Sequence, residues 1–261
     1  MKQRLLSLIL LLFLLLSACA AKPTSAPADH VISHRGASGE EPEHSFAAYD
    51  LAVAYGSRYI EQDLVLSADG TLYVSYDLSP VQFNGDETPF RELHDDAIDA
   101  IRTQDGRGVL RMSEVLARYG DSVCYVTELK LGMEQLEPFL ALVQESGLER
   151  QFLVQSWDLK VLEAIEERYP EMPKVFLTMY RKPMQEALGA PCVDIVAVPS
   201  ELMTESNCVM VHAAEKKFCA WTLNSTEAIK KAIELGMDCY FTNYTAKALL
   251  LEAEYRKDPD E

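Results

Sequence analysis

Three short apolar runs in this sequence each give out in ionisable residues. Val31-Ile32-Ser33 leads into His34 and Arg35, Tyr59-Ile60 into Glu61 and Asp63, and Val123 to Thr127 into Glu128 and Lys130. Glu43 and His44 stand close by in Pro42-Glu43-His44, and a further run closes on Tyr76-Asp77. A base, two cations and several carboxylates are the inventory for metal-assisted chemistry on a phosphate. Carboxylates brought together repel one another unless a cation sits between them, and oxygen-only ligands favour Mg²⁺ or Ca²⁺ over zinc. Histidine takes or gives a proton near neutral pH. Arginine and lysine neutralise phosphoryl oxygens. Any one of these ions taken alone reads as a surface salt bridge. That explanation is much weaker for six of them standing at strand ends.

The elements that would position them follow from periodicity. Alternate residues of a strand share a face, so Glu61 points with Asp63 and Glu128 with Lys130. Strand-like and helix-like segments alternate along the chain. Eight strands followed by helices are predicted, beginning near Val31, Arg58, Val123, Gln151, Lys174, Val193, Phe218 and Cys239. A hairpin through Ala68-Asp69-Gly70 into Thr71–Tyr76 interrupts the series, then a loop-rich stretch from Leu78 to Leu110 with one short helix near Asp95–Arg102. Eight such units predict an α/β fold, a single-domain (β/α)8 TIM barrel with its site at the carboxyl ends of the strands. An open doubly wound sheet is the competitor. The chain carries neither GxGxxG nor GxxxxGK[ST], which weakens it.

The amino-terminal residues read as an address. Lys2 and Arg4 precede a nearly unbroken apolar run, Leu5 to Leu16, too short for a comfortable membrane span. Leu16-Ser17-Ala18-Cys19 resembles the lipobox of bacterial lipoproteins. Residues 1–18 are therefore expected to be a signal peptide and Cys19 to be lipidated. The Pro-rich residues 19–29 are expected to form a tether to the cell membrane, outside the cytoplasm, and residues 30–261 the domain. A plain signal peptide cut nearby, or an uncleaved anchor, is the alternative. The formal charge is −17 with no compensating basic patch, which disfavours nucleic acid as a partner. Of the six cysteines, five remain after Cys19, an odd number that excludes a fully paired framework. Cys192 and Cys208 flank one strand-like segment and are the pair that could close outside the cytosol.

The ordered set His34-Arg35-Gly36-Ala37-Ser38, Pro42-Glu43, Tyr59-Ile60-Glu61-Gln62-Asp63, the Asp-Gly turn, Glu128-Leu129-Lys130, Trp221-Thr222-Leu223-Asn224 and Thr242 resembles the glycerophosphodiester phosphodiesterase family. The resemblance spans the whole mature domain. It implies a TIM barrel that uses a divalent cation to hydrolyse a small-molecule glycerophosphodiester to glycerol 3-phosphate and an alcohol. By position it implies Glu61, Asp63 and Glu128 as metal ligands, and Arg35 and Lys130 as phosphate holders. His34 would be one of two acid/base histidines, Trp221 a wall of the substrate cleft, and Glu43 either an outer ligand or an orienter of Arg35. The chain departs from the family where a His-Asp pair is expected and Tyr76-Asp77 stands instead. It departs again at His44, where asparagine is usual, and at Thr242-Asn243, where Thr-Asp is usual. A tyrosine near pKa 10 is a usable acid but recycles poorly as a base. Three expectations follow: a weak hydrolase with Tyr76 or His44 in the missing proton role, a hydrolase with altered leaving-group preference, or a lipoprotein that binds phosphodiesters without turnover.

Overall fold

The computed structural model describes residues 30–255, so the expected signal peptide, Cys19 and the tether lie outside the described residues. The strands are β1 Val31–Ser33, β2 Tyr59–Leu66, β3 Leu72–Val74, β4 Leu110–Arg111, β5 Cys124–Leu129, β6 Phe152–Ser156, β7 Lys174–Leu177, β8 Ile195–Pro199, β9 Lys217–Trp221 and β10 Cys239–Thr242. The helices are α1 Phe46–Ala54, α2 Val81–Asn84, α3 Asp95–Ala100, α4 Met112–Tyr119, α5 Leu136–Ser146, α6 Leu159–Arg168, α7 Arg181–Ala187, α8 Glu205–Ala213, α9 Thr226–Glu234 and α10 Thr245–Tyr255. Eight strands, all but β3 and β4, run parallel, and β1 closes the ring by pairing with both β10 and β2. The fold is the (β/α)8 barrel that the alternation predicts. Its strands begin within two residues of the expected positions. Capping side chains fix several helix starts: Ser45, Asp158, Thr204 and Ser225 each accept a hydrogen bond from a backbone N–H of the first turn.

Side-chain parity divides the core into two layers. Outward-facing residues such as Ile60, Leu64, Tyr125 and Val154 pack against the helices, while Ile32, Val126, Leu153, Val175, Ile195 and Cys219 fill the barrel interior. Along β2 the inward residues are Tyr59, then Glu61, then Asp63, so the same face changes from apolar at the floor to charged at the mouth. Register carries that change across the sheet: Asp63 lies opposite Glu128, and Glu128 opposite Gln155.

The chain leaves the barrel once. β2 runs on to Leu66, β3 returns antiparallel to it, and β4 pairs with β3. The insertion has its own small core of Val65, Tyr73, Phe90, Ile98, Ile101 and Val109. It contains α3 where one short helix is predicted, and also α2, which the loop-like composition of that stretch conceals. The hairpin strand stops at Val74, so Tyr76 stands on a bend beyond it. Cys192 and Cys208 are not paired. All five cysteines among the described residues are free thiols, and the Cys208 Sγ–H donates to the Leu235 carbonyl at 3.1 Å. No helix among the described residues is long and apolar enough to cross a membrane.

Candidate active site

β1 ends in a turn whose backbone is set by its glycine. Gly36 has φ +83°, and a Cβ there would lie 2.7–2.8 Å from the backbone and Cβ of Ala48. Arg35 before it takes φ +58°, an uncommon conformation for a side-chain-bearing residue. Its N–H donates to Glu61 Oε2 at 2.9 Å, while its guanidinium reaches Glu43 Oε2 from Nη1 at 2.8 Å and Asp63 Oδ2 from Nε at 3.2 Å. Gly36→Ala is therefore expected to destabilise the protein by at least about 2 kcal/mol, read as a lowered thermal midpoint, because strain and a backbone clash coincide.

His34 lines the cavity at the barrel mouth and is held from the residue that follows the last strand. Its Nδ1–H donates to Asn243 Oδ1 at 2.7 Å, which leaves Nε2 as the free proton acceptor. Burial, reinforced by the Arg35 charge, lowers its pKa to about 4, so the ring is neutral at physiological pH.

Three carboxylates face the same cavity: Glu61, Asp63 and Glu128. Burial and the negative charge of Asp63 push Glu61 well above the usual carboxylate range and raise Glu128 to about 7. Asp63 goes the other way. Burial opposes its ionisation, but the hydrogen bond from His44 and the cations Lys130 and Arg35 hold it below the usual range. Lys130 Nζ lies 3.6 Å from Asp63 Oδ1 and 3.9 Å from Glu128 Oε1. Among the described residues Glu61 accepts from two neutral donors, the Arg35 N–H at 2.9 Å and Gln155 Nε2 at 3.1 Å. Such crowded, under-neutralised oxygen donors fit a hard divalent cation. A second grouping also offers ligand atoms: His44, Glu61 and Asp63 present them within 4.8 Å of one another. In that grouping both His44 nitrogens are already engaged, Nε2 with Asp63 Oδ2 and Nδ1 with the Tyr49 hydroxyl, each at 2.9 Å.

His44 lies fully buried behind Asp63 and does not reach the cavity wall. Glu43 grips Arg35 from outside. Tyr76 is at the mouth and half exposed, and what it presents is its ring face: the Arg35 guanidinium carbon sits 3.7 Å and Lys130 Nζ 4.4 Å from the ring centroid. Trp221 lines the cavity and meets Trp157 edge-on, with ring centroids 5.9 Å apart. Trp157 and Gln155 are wall residues that the sequence reading omits. Trp157 donates from Nε1 to Glu128 Oε1 at 3.0 Å, and Gln155 steadies Glu61. The signal for both was their place at the end of the predicted strand Gln151–Trp157, where a barrel gathers its site. The cavity holds about 370 Å³.

The sequence model of the glycerophosphoryl diester phosphodiesterase family matches residues 34–247. The chain belongs to this family. Its members are hydrolases, and the match spans every strand end that contributes to the cavity. A glycerophosphodiester phosphodiesterase of Bacillus subtilis is 26% identical over 93% of this chain and 96% of its own length. Among solved structures, an Oleispira antarctica phosphodiesterase in complex with the product sn-glycerol-3-phosphate superposes with a TM-score of 0.76 at 21% identity, covering 86% of this chain and 96% of its own. The glycerophosphodiester phosphodiesterase of Thermotoga maritima has a TM-score of 0.72 at 20% identity, covering 86% and 97%. At these identities the likeness to the two structures is one of fold.

Proposed function

We propose that the chain hydrolyses glycerophosphodiesters to glycerol 3-phosphate and an alcohol, with a divalent cation, Mg²⁺ or Ca²⁺, held by Glu61, Asp63 and Glu128. The observation that carries this reading is the gathering of three carboxylates, two cations and a neutral histidine around one cavity at the barrel mouth. The bound cation would polarise the phosphate and screen the carboxylates from one another. Arg35 and Lys130 hold the phosphoryl oxygens, their directions set by Asp63, Glu43 and the Tyr76 ring. His34 Nε2 takes the proton of the attacking oxygen, either water or the neighbouring glycerol hydroxyl, and Asn243 keeps that nitrogen free. The leaving oxygen takes its proton from the Tyr76 hydroxyl or from water. His44 acts through Asp63 as a positioning residue. On the same reading the amino-terminal signal and a lipidated Cys19 tether the domain to the outer face of the bacterial membrane. Incorporation of a labelled fatty acid that is lost in Cys19→Ala tests the tether.

The decisive assay supplies glycerophosphocholine and an activated aryl phosphodiester with Mg²⁺, Ca²⁺ or EDTA. Turnover that disappears in EDTA and returns with metal is the expected result. No turnover on either substrate, with binding retained, would instead make the protein a phosphodiester-binding lipoprotein, a reading favoured by the engagement of the Tyr76 ring with both phosphate-holding cations. Stability gives a second readout of the cation. A carboxyl whose folded pKa is raised loses stability as pH climbs from its unfolded value to its folded one. The metal-free protein should therefore gain thermal stability as pH falls from 8 to 5.5 through the Glu128 titration near 7. Saturating metal should flatten that slope, and so should Glu128→Gln.

Tyr76→His tests the missing acid. It is expected to raise kcat on glycerophosphocholine by about 10²-fold, the lower end of what a positioned acid supplies, and to leave the aryl diester little changed because that leaving group needs no proton. An equal gain on both substrates, or none, would remove leaving-group protonation as the deficit at position 76.

A further inference from the structure

β2 and β5 run in register as far as Leu64 and Leu129, and there the two strands part. β2 continues into the hairpin with β3, whereas β5 ends and the chain turns at Lys130. The split opens directly behind two residues of the site, since Asp63 precedes Leu64 and Lys130 precedes Leu131. One side chain closes it. Gln135, fully buried at the end of the 3₁₀ turn Gly132–Gln135, donates from Nε2 to the Leu64 carbonyl at 2.8 Å. Its Oε1 accepts the Leu131 N–H, also at 2.8 Å. The amide thus stands where the next rung of the ladder would be, and ties the backbone beyond Asp63 to the backbone beyond Lys130.

Lys130 needs such a tie. Its Nζ lies 3.6 Å from Asp63 Oδ1, 3.9 Å from Glu128 Oε1 and 4.4 Å from the Tyr76 ring centroid. At those distances the ammonium is held by charge rather than by a hydrogen bond, so its place depends on the backbone that carries it. We propose that Gln135 is a positioning residue for Lys130: by bridging β2 and the turn after β5, it fixes the ammonium over Asp63 and the Tyr76 ring. The inference deepens the phosphodiesterase reading and rests on it for the role of Lys130 as a phosphate holder.

The placement is read without substrate, in protein labelled with ε-¹³C lysine, where Lys130→Arg identifies the Lys130 signal. The Tyr76 ring should shield that signal and set it upfield of those of exposed lysines. Gln135→Met, which removes both hydrogen bonds, should return it most of the way toward them. Gln135→Asn, which keeps both polar groups but is one methylene short of the span, should do the same. A Lys130 signal unmoved in both variants overturns the proposal. Glycerol 3-phosphate binding, followed by calorimetry at saturating Mg²⁺, gives the second readout. Gln135→Met is expected to weaken it about 10-fold and Lys130→Met about 100-fold, with the double variant no weaker than Lys130→Met alone. Losses that add in the double variant overturn the proposal, because Gln135 would then act other than through Lys130. Val143→Ala, in the buried face of α5 two turns further on, lowers stability without touching the bridge. It should leave both readouts as in the wild type, and equal changes there would reduce Gln135 to a stability role and overturn the proposal. If the wild type does not bind glycerol 3-phosphate, the phosphodiesterase reading falls, and the Lys130 signal alone decides the bridge.

Discussion

Asp63→Asn is expected to lower kcat/KM by at least about 10³-fold, the largest loss for any single substitution in the site. Removing one preorganised electrostatic group from a reaction centre costs about 10²–10³, and weakening a metal's ligand shell adds to that. On the proposed reading Asp63 combines both. It is where Arg35 Nε, His44 Nε2 and Lys130 Nζ converge, at 3.2, 2.9 and 3.6 Å. It is also the carboxylate that those partners keep ionised, whereas Glu61 and Glu128 are pushed toward protonation. The amide keeps the shape and removes the charge. Metal affinity, read by calorimetry or by the metal-dependent rise in thermal midpoint, should fall together with turnover. A variant that retained wild-type metal affinity and lost only turnover would remove Asp63 from the ligand set. One that kept turnover within about 10-fold would dismiss the whole arrangement as catalytic.

The second large effect belongs to His34. His34→Gln is expected to reduce kcat by about 10²–10⁴ with KM little changed, since a general base acts in the transition state and not in binding. Its pH signature follows from the lowered pKa. A base works when unprotonated, so at saturating metal kcat/KM should stay level from neutral pH into mild acid and fall only as pH approaches about 4. Asn243→Asp changes that signature without touching the cavity wall. A carboxylate facing the Nδ1–H stabilises the imidazolium, so the acid limb should move up by about one to two pH units and kcat should rise with the stronger base. An acid limb unmoved by the substitution would assign it to another group and remove His34 from the proton-transfer role.

Much of this architecture was legible along the chain because it is carried by local rules. Period-two and period-3.6 apolar patterns mark eight strand–helix units, and eight such units close into a barrel. The barrel then gathers strand ends, so ionisable residues stranded at the ends of apolar runs had to meet. His34, Arg35, Glu61, Asp63 and Glu128 do so around one cavity, with Lys130 beside it. What one strand face carries is also local: Glu61 and Asp63 share the inward side of β2 by parity alone. The insertion was less legible because its α2 is a single short turn within a polar, proline-flanked stretch, with no periodicity to count.

Only the tertiary structure decided what each side chain does with its neighbours. Sequence leaves His44 and Tyr76 as interchangeable candidates for one missing proton donor. Packing separates them: His44 turns inward between Tyr49 and Asp63, whereas Tyr76 lays its ring over Arg35 and Lys130. No spacing along the chain could show which face of that tyrosine meets the cations. The partner that frees the Nε2 of His34 lies 209 residues away, one residue past the last strand of the barrel. Trp157, an ordinary aromatic at a strand end when read in order, becomes both a hydrogen-bond donor to Glu128 and a wall of the cavity. Composition and periodicity are properties of neighbours in sequence, so they determine which residues reach the barrel mouth. Orientation, ionisation and the pairing of the cavity's side chains depend on contacts between strands far apart in the chain, and these exist only once the ring has closed.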